Sequence, residues 1–480
     1  MLKHDILSGE IEKKILDLFN CMVNNLQTTA TCLYGSRVCG YARNDSDYDV
    51  LAILDGYVEG IRYCYPSVRS VPVAFLFVDK ELFEMDISQG SLGEFVAGRL
   101  LSPYIPLINE TYLKKREVEL KTRVIIEELR NLITQYGELS RGLVFEIEYI
   151  ILSRLKKRMK VYPPLKYSYL NMLHDDLRNR NLSLIAEGFN KALKNVEDRG
   201  IIKFEGEYYS LSDQFIDSVL RRKNVEKAIN ILDFSQKALK SYLAHGRAGR
   251  VSLDILSREL TAKISREFMA SMPNTKFEDP KRYLQLRTAT GLVTMNERNT
   301  VIDIINKYKP GFNVQVKPLG GVLNEVFQAE VGDDRFVIKK FSDWYGFKWF
   351  TLNLAVLGTR YFSVSGRERL ANEYGMGNYL SSHDFSAQKL LYINIPERVL
   401  VKEYIRGVIL SDLVKKSNNK NDSIMTQIYF ETGEFLSKLH LNDIVLGDSK
   451  PENLIYSDNN KIIALDLEQS KKGGNKVWDI

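Results

Sequence analysis

Asp448, Lys450, Asn453 and Asp466 are the residues whose types and spacing most directly imply chemistry. They lie in Leu-Gly-Asp-Ser-Lys-Pro-Glu-Asn-Leu-Ile (446–455) and Ala-Leu-Asp-Leu-Glu (464–468). Phosphoryl transfer needs a carboxylate to orient the attacking hydroxyl, a cation for the transferred group and oxygen ligands for Mg²⁺. Asp448 supplies the first, Lys450 the second, and Asn453 with Asp466 the third. A second set of such residues lies near the other end of the chain. Gly35-Ser36 reads as a turn where backbone can approach a phosphate closely. After ten intervening residues come Asp47 and Asp49. Residues i and i+2 of a strand share a face, so both carboxylates can grip the same Mg²⁺ pair beside a triphosphate.

The elements that must position the first set are legible upstream of it. After Pro310-Gly311 the pattern turns to strands. Leu319–Ala329 reads as a hairpin over the phosphates, with Gly320 and Gly321 at its turn. Phe336-Val-Ile-Lys339 reads as the next strand, with Lys339 facing the α/β-phosphates and Lys340 on the opposite face. Glu373, in a helix around Arg369–Tyr374, is the candidate partner for Lys339. The gap between the two implies an insertion around Trp344–Phe362, rich in aromatics that either pack on this lobe or dock a partner. Leu400–Gly407 reads as a strand and hinge, where backbone groups of Glu403 and Ile405 can contact adenine. A helix over Gly433–Leu441 then leads into the loop that holds Asp448.

This order, with Leu439-His440 preceding a Gly-Asp loop, resembles the atypical kinases of the RIO type and the small kinase of the tRNA-modifying KEOPS complex. The resemblance covers about residues 315–480. It implies ATP and Mg²⁺ as cofactors, Asp448 orienting the acceptor hydroxyl, Lys450 steadying the γ-phosphate, and Asn453 and Asp466 holding the metal. Lys-Pro-Glu-Asn (450–453) is closer to Ser/Thr protein kinases than to small-molecule kinases, which implies a protein substrate. Asp-Leu-Glu (466–468) stands in place of Asp-Phe-Gly, so no ordinary activation segment is expected. The resemblance also implies that Asp479 braces the catalytic loop and that the large lobe is truncated at Ile480.

Gly35-Ser36, Arg37, Gly40, Arg43, Ser46 and Asp47-Tyr48-Asp49 together resemble the polymerase-β-like nucleotidyltransferases over about residues 15–105. The resemblance implies nucleotide binding at Gly35, Ser36 and Arg37 and metal binding at Asp47 and Asp49. Such enzymes usually add a third carboxylate from a later strand. Here that strand is Val71–Val78 and the expected position is Ala74, which cannot bind metal. Asp79, Glu84 and Asp86 are the available substitutes.

Between these ends the pattern is mostly helical, through Val124–Ile133, Phe145–Leu155 and Ser183–Asp198 with a Gly200 cap. Ile201–Leu211 reads as two short strands around a Glu-Gly turn. Three helices followed by a hairpin is the order of a winged helix, and the alternative for that region is a protein–protein or interdomain role. Residues 111–250 carry a net charge of +9 and the remainder −3. The basic Arg154–Lys160 cluster, Lys191, Lys194, Arg199 and Arg221–Lys223 are therefore expected to reach the phosphates of RNA or DNA.

The four cysteines all fall within the first 64 residues and fit neither a zinc site nor a disulfide framework. No stretch approaches a transmembrane span and no secretory h-region opens the chain, so a cytoplasmic location is expected. The expected fold is α+β and multidomain. A nucleotidyltransferase α/β domain occupies 1–108, a helical linker 109–144, a winged helix 145–215, a helical segment 216–300, and a protein-kinase-like domain 301–480. The expected function is an ATP- and Mg²⁺-dependent Ser/Thr kinase fused to a nucleotidyltransferase. The alternative is a nucleic-acid- or ribonucleoprotein-binding regulator whose two enzyme-like domains bind nucleotide without turnover.

Overall fold

The computed structural model describes residues 7–479, apart from 24–25, 67–71, 250–275, 297–302, 304–313, 321–323, 344–362, 364 and 417–422. The aromatic insertion and the hairpin glycine Gly321 lie outside the described residues. The chain is an α+β protein of two compact units, each assembled from separate stretches. The first comprises Met1–Asn131, Ile147–Gly200 and Lys223–Pro280, and the second Leu132–Glu146, Ile201–Arg222 and Lys281–Ile480.

The first unit is built on five strands, in the order Ile61–Cys64, Val73–Asp79, Tyr48–Asp55, Gln27–Tyr34, Ile105–Ile108. Tyr48–Asp55 runs parallel to Val73–Asp79 and antiparallel to Gln27–Tyr34. Val50–Leu54 and Val73–Val78 are continuous apolar runs, and both are buried throughout, as strands covered on two faces must be. The helix Gly9–Val23 buries Ile15, Phe19 and Val23 at four-residue spacing, and Phe19 meets the Phe75 ring with centroids 6.1 Å apart. Helices Lys80–Gln89, Ile147–Val161, Leu165–Met172, Asp175–Asp198 and Lys223–Gly249 also belong to this unit.

Part of the basic cluster turns inward. Arg154 and Arg158 are buried. Arg154 pairs with Glu94 and, at 3.0 Å, with Glu127, while Arg158 donates to the Gly98 carbonyl at 2.9 Å. These two guanidinium groups are spent on the interior. Lys160, Lys191, Lys194, Arg199 and Arg221 remain exposed.

In the second unit, Gln315–Gly320, Asn324–Val331, Asp334–Phe341, Val399–Glu403 and Leu390–Asn394 form one antiparallel sheet in that spatial order. The helix Gly366–Ser382 follows in sequence from its Ser365 cap. A small sheet of Gly407–Ile409, Leu454–Ser457 and Ile462–Ala464 and the helix Ser423–Leu441 share a further core that includes Leu439, Leu446, Leu454 and Ala464. The hairpin Ile202–Glu205/Tyr208–Leu211 is present, turning at Gly206 with φ +74°. It pairs with Leu143–Phe145, which in turn pairs with Leu284–Thr288. The hairpin therefore belongs to the second unit, while the helices expected to carry it as a wing belong to the first. Within 216–300, Lys223–Gly249 is helical, but Leu284–Thr288 and Gly291–Thr294 form a hairpin. Alternation explains it: Leu284, Leu286 and Thr288 are buried while Arg287 is exposed.

Candidate functional site

The second unit gathers the first set of residues through three local devices. The first is the strand Asp334–Phe341, whose alternation buries Lys339 and leaves Lys340 exposed. The second is the helix Gly366–Ser382, which buries Glu373. Lys339 Nζ donates to Glu373 Oε2 at 2.6 Å and also meets Asp466 Oδ1 at 3.0 Å and Glu468 Oε2 at 3.2 Å. Burial opposes the charge of Lys339, but Asp466, Glu373 and Glu468 outweigh it and hold its pKa above the usual lysine value. Burial likewise opposes the charge of Asp466, and Lys339 prevails, keeping that carboxyl below its ordinary range. The Lys339–Glu373 partnership anticipated across the long gap is thus formed.

The third device is the hairpin Leu454–Ser457/Ile462–Ala464. Its Leu454–Ala464 register brings Asn453 and Asp466 to one end, and the Leu465 amide donates to the Asn453 carbonyl at 2.9 Å. Asn453 Nδ2 donates to the Asp448 carbonyl at 2.9 Å and to Asp448 Oδ2 at 3.0 Å, and Lys450 Nζ reaches the same Oδ2 at 2.9 Å. Asp448 raises the pKa of Lys450 by this hydrogen bond. Buried Asp479 accepts from the amides of Leu446 at 2.7 Å and Gly447 at 2.8 Å, and its Oδ2 lies 3.1 Å from His440 Nε2. The backbone just before Asp448 is therefore held by a carboxylate.

The donor set suits a hard divalent cation. Asn453 uses its amide nitrogen toward Asp448, and Asp466 uses Oδ1 toward Lys339 and the Glu468 amide, so the other side-chain oxygen of each is the atom that would hold a metal. A cation that pairs with phosphate, two oxygen ligands and a carboxylate on a braced loop are the parts that phosphoryl transfer requires. Gly320 ends its strand at φ +90°, with open space where a Cβ would stand. Glu403 is engaged with Lys389: its Oε1 accepts from the Lys389 amide at 2.9 Å, and its carbonyl accepts from Gln388 Nε2 at 3.3 Å. Ile405 follows, half-buried, in the link to Gly407.

Four residues of this cluster escaped the sequence reading. Lys402, buried, pairs with Glu373 and donates to the Leu465 carbonyl at 2.8 Å. Glu468 joins Arg369, which is fully buried, and Asn324. The available signals were a lysine amid the apolar strand Val399–Glu403 and an arginine one helical turn before Glu373.

The second set is brought together in the first unit. Tyr34 is the register partner of Asp49, so the Gly35-Ser36 turn lies against that carboxylate. A Cβ on Gly35 would stand 2.1 Å from Asp49 Oδ2, and the residue adopts φ +84°; both require glycine. Asp47 is exposed. Arg37 does not point at this face: its Nη2 donates to the carbonyl of Ser46 at 2.6 Å, and its guanidinium stacks over Tyr48 at 4.5 Å. Ala74 is the direct partner of Asp49 on the next strand. None of the three alternative carboxylates is spare. Asp79 caps the helix Lys80–Gln89, Glu84 accepts from Arg116 at 2.5 Å, and buried Asp86 accepts four backbone amides. Arg99 instead faces this corner, over the Tyr34 ring at 5.1 Å, and its charge partly offsets the burial that raises the Asp49 pKa.

No family model matches the chain, and no curated protein matches it. Among solved structures, the chain is similar to a 2.2 Å crystal structure of WbdD and to a medium-resolution structure of the bifunctional kinase-methyltransferase WbdD. Both matches have 20% identity and a TM-score of 0.23, over 33% of this chain. The chain spans about a third of the length of those structures, 33% and 34%. Among the described residues, no helix is long and apolar enough to cross a membrane.

Proposed function

We propose that the second unit is an ATP- and Mg²⁺-dependent phosphotransferase acting on serine or threonine of a protein, joined to a nucleotidyltransferase-like first unit. The observation that carries this reading is buried Lys339, shared between Glu373 at 2.6 Å and Asp466 at 3.0 Å. Its shared position supports a role in meeting phosphates when a metal is held by Asp466 and Asn453. The RIO- and KEOPS-like pattern around Lys-Pro-Glu-Asn supports a protein acceptor. For the first unit a second reading is favoured by a specific observation. Ala74 stands beside Asp49 while Asp79, Glu84 and Asp86 are otherwise engaged, so that unit binds nucleotide without transferring it. Exposed Lys191, Lys194 and Arg199 of the first unit support an RNA or DNA partner, whose affinity would fall steeply with salt.

The test is incubation of the full chain with candidate proteins, RNA and ATP labelled at the α or the γ phosphate. Wild type is compared with Asp448→Ala and Asp49→Ala. Transfer of γ-label that disappears only in Asp448→Ala is expected. Transfer of α-label lost only in Asp49→Ala would restore turnover to the first unit. Neither transfer, despite measurable ATP binding, would leave a nucleotide-binding regulator.

A further inference from the structure

The phosphotransferase reading gives Glu468 no task, yet this carboxylate is buried and has three partners. Asn324 Nδ2 donates to its Oε2 at 2.7 Å, Arg369 Nη1 lies 3.3 Å from both oxygens, and Lys339 Nζ lies 3.2 Å away. Arg369 also donates to Asn324 Oδ1 at 2.7 Å, which closes a triangle of Asn324, Arg369 and Glu468. Each partner comes from a different element. Asn324 opens the strand that returns from the Gln315–Val331 hairpin, Lys339 lies on the next strand, and Arg369 lies one turn before Glu373. Arg369 is fully buried, so its charge has to be met inside the cluster. Glu468 itself is two residues from Asp466 on the same backbone. One carboxylate thus ties the hairpin, the lysine strand and the helix to the metal-binding segment.

We propose that Glu468 is a positioning residue for the nucleotide: through Asn324 it fixes the hairpin relative to Lys339 and Asp466, and so sets the affinity for Mg²⁺·ATP. The proposal rests on reading this unit as ATP-binding. Without Glu468, Asn324 keeps its hydrogen bond from Arg369, but the hairpin loses its link to the segment that holds Asp466.

The test measures Mg²⁺·ATP affinity of the full chain by calorimetry, for wild type, Glu468→Ala, Glu468→Gln, Asn324→Ala and the double variant Glu468→Ala/Asn324→Ala. Glu468→Ala and Asn324→Ala are each expected to weaken binding about tenfold. The double variant is expected to lose no more than either alone, because both break one connection. Glu468→Gln keeps an acceptor for Asn324 and is expected to recover part of the loss. Additive losses, or wild-type affinity in Glu468→Ala, would overturn the proposal. So would a loss confined to the Mg²⁺ dependence, which would make Glu468 a metal ligand. Should Glu468→Ala fail to fold, partly exposed Asn324 decides: unchanged ATP affinity in Asn324→Ala overturns the positioning role. The two readings fail separately. A wild-type chain that binds no ATP removes the phosphotransferase reading, whereas binding that ignores these substitutions removes only the role of Glu468.

Discussion

Burial lifts the carboxyl of Asp49 to about 6, with Arg99 opposing the rise and Asp47 adding to it. In the unfolded chain an aspartate titrates near 4, at about 3.9. Folding therefore favours the neutral form. The stability this contributes is full below about pH 4 and is lost as pH rises through about 6. At pH 7 the ionised group costs roughly 3 kcal/mol. Asp49→Asn is thus expected to be more stable than wild type at pH 7 by up to about that amount, with the gap closing below about pH 4. Thermal melts at both pH values check it, and a gap independent of pH would contradict the cause. Lys339 is the opposite case, a buried cation held by three carboxylates. Lys339→Met leaves those carboxylates crowded together and is expected to destabilise the second unit by about 3–5 kcal/mol. Hydrogen exchange along Asp334–Phe341 would report it, and unchanged protection would show that Lys402 and Arg369 suffice.

Among the elements, the helices respond oppositely to the same substitution because of what their glycines touch. Gly375 lies in Gly366–Ser382, and a Cβ there would stand 2.3 Å from the Glu138 carbonyl oxygen. The same helix is pinned by Tyr374, whose hydroxyl donates to the Arg287 carbonyl at 2.6 Å. Gly433 lies in Ser423–Leu441 with open space around it. Intrinsic propensity favours alanine over glycine in both by about 1 kcal/mol. Gly433→Ala is expected to stabilise by about that amount, while Gly375→Ala is expected to destabilise despite its better propensity. Denaturant unfolding of the two variants decides, and a stabilised Gly375→Ala would show that the helix can shift. Helix existence was legible because 3- and 4-residue apolar spacing persists through Val124–Ile133 and Ser183–Asp198. The strands Leu284–Thr288 and Gly291–Thr294 were not, because four or five residues of alternation beside a long helical region give little signal.

At the scale of the whole molecule, the chain does not respect a linear division. The second unit takes Leu132–Glu146 and Ile201–Arg222 from far upstream of its sheet. Ala289 donates its amide to the Leu390 carbonyl at 2.7 Å. Buried Arg141 meets Asp213 at 2.8 Å and Asp217 at 2.6 Å, and Lys472 meets Asp217 at 2.9 Å. A fragment of residues 301–480 lacks all these upstream partners. It is expected to lose cooperative unfolding and ATP binding that the full chain retains. A well-folded, ATP-binding 301–480 fragment would show that the upstream strands are dispensable. Thiol accessibility offers a further check. Burial pushes Cys32 and Cys39 up to about 12, whereas Cys21 is exposed. Alkylation of the native chain near pH 8 is expected to label Cys21 and spare Cys32 and Cys39, and their rapid labelling would contradict the packing of the first sheet.

From the sequence came the two clusters of chemistry-bearing residues and the Lys339–Glu373 pairing, while the Asp479 brace and the missing acid at Ala74 were implied by the two family resemblances. The clusters and the pairing rest on local patterning: a period-2 strand, a 3.6-period helix or a short loop fixes where a side chain points. Tertiary structure alone decided that Asp79, Glu84 and Asp86 are engaged elsewhere, that Arg154 and Arg158 serve the interior, and that the Ile202–Leu211 hairpin joins strands from 143–145 and 284–294. It also made Glu468, Asn324 and Arg369 neighbours. Those outcomes depend on which distant surfaces meet and which buried polar groups must then be satisfied, and residue type and spacing along the chain do not encode that.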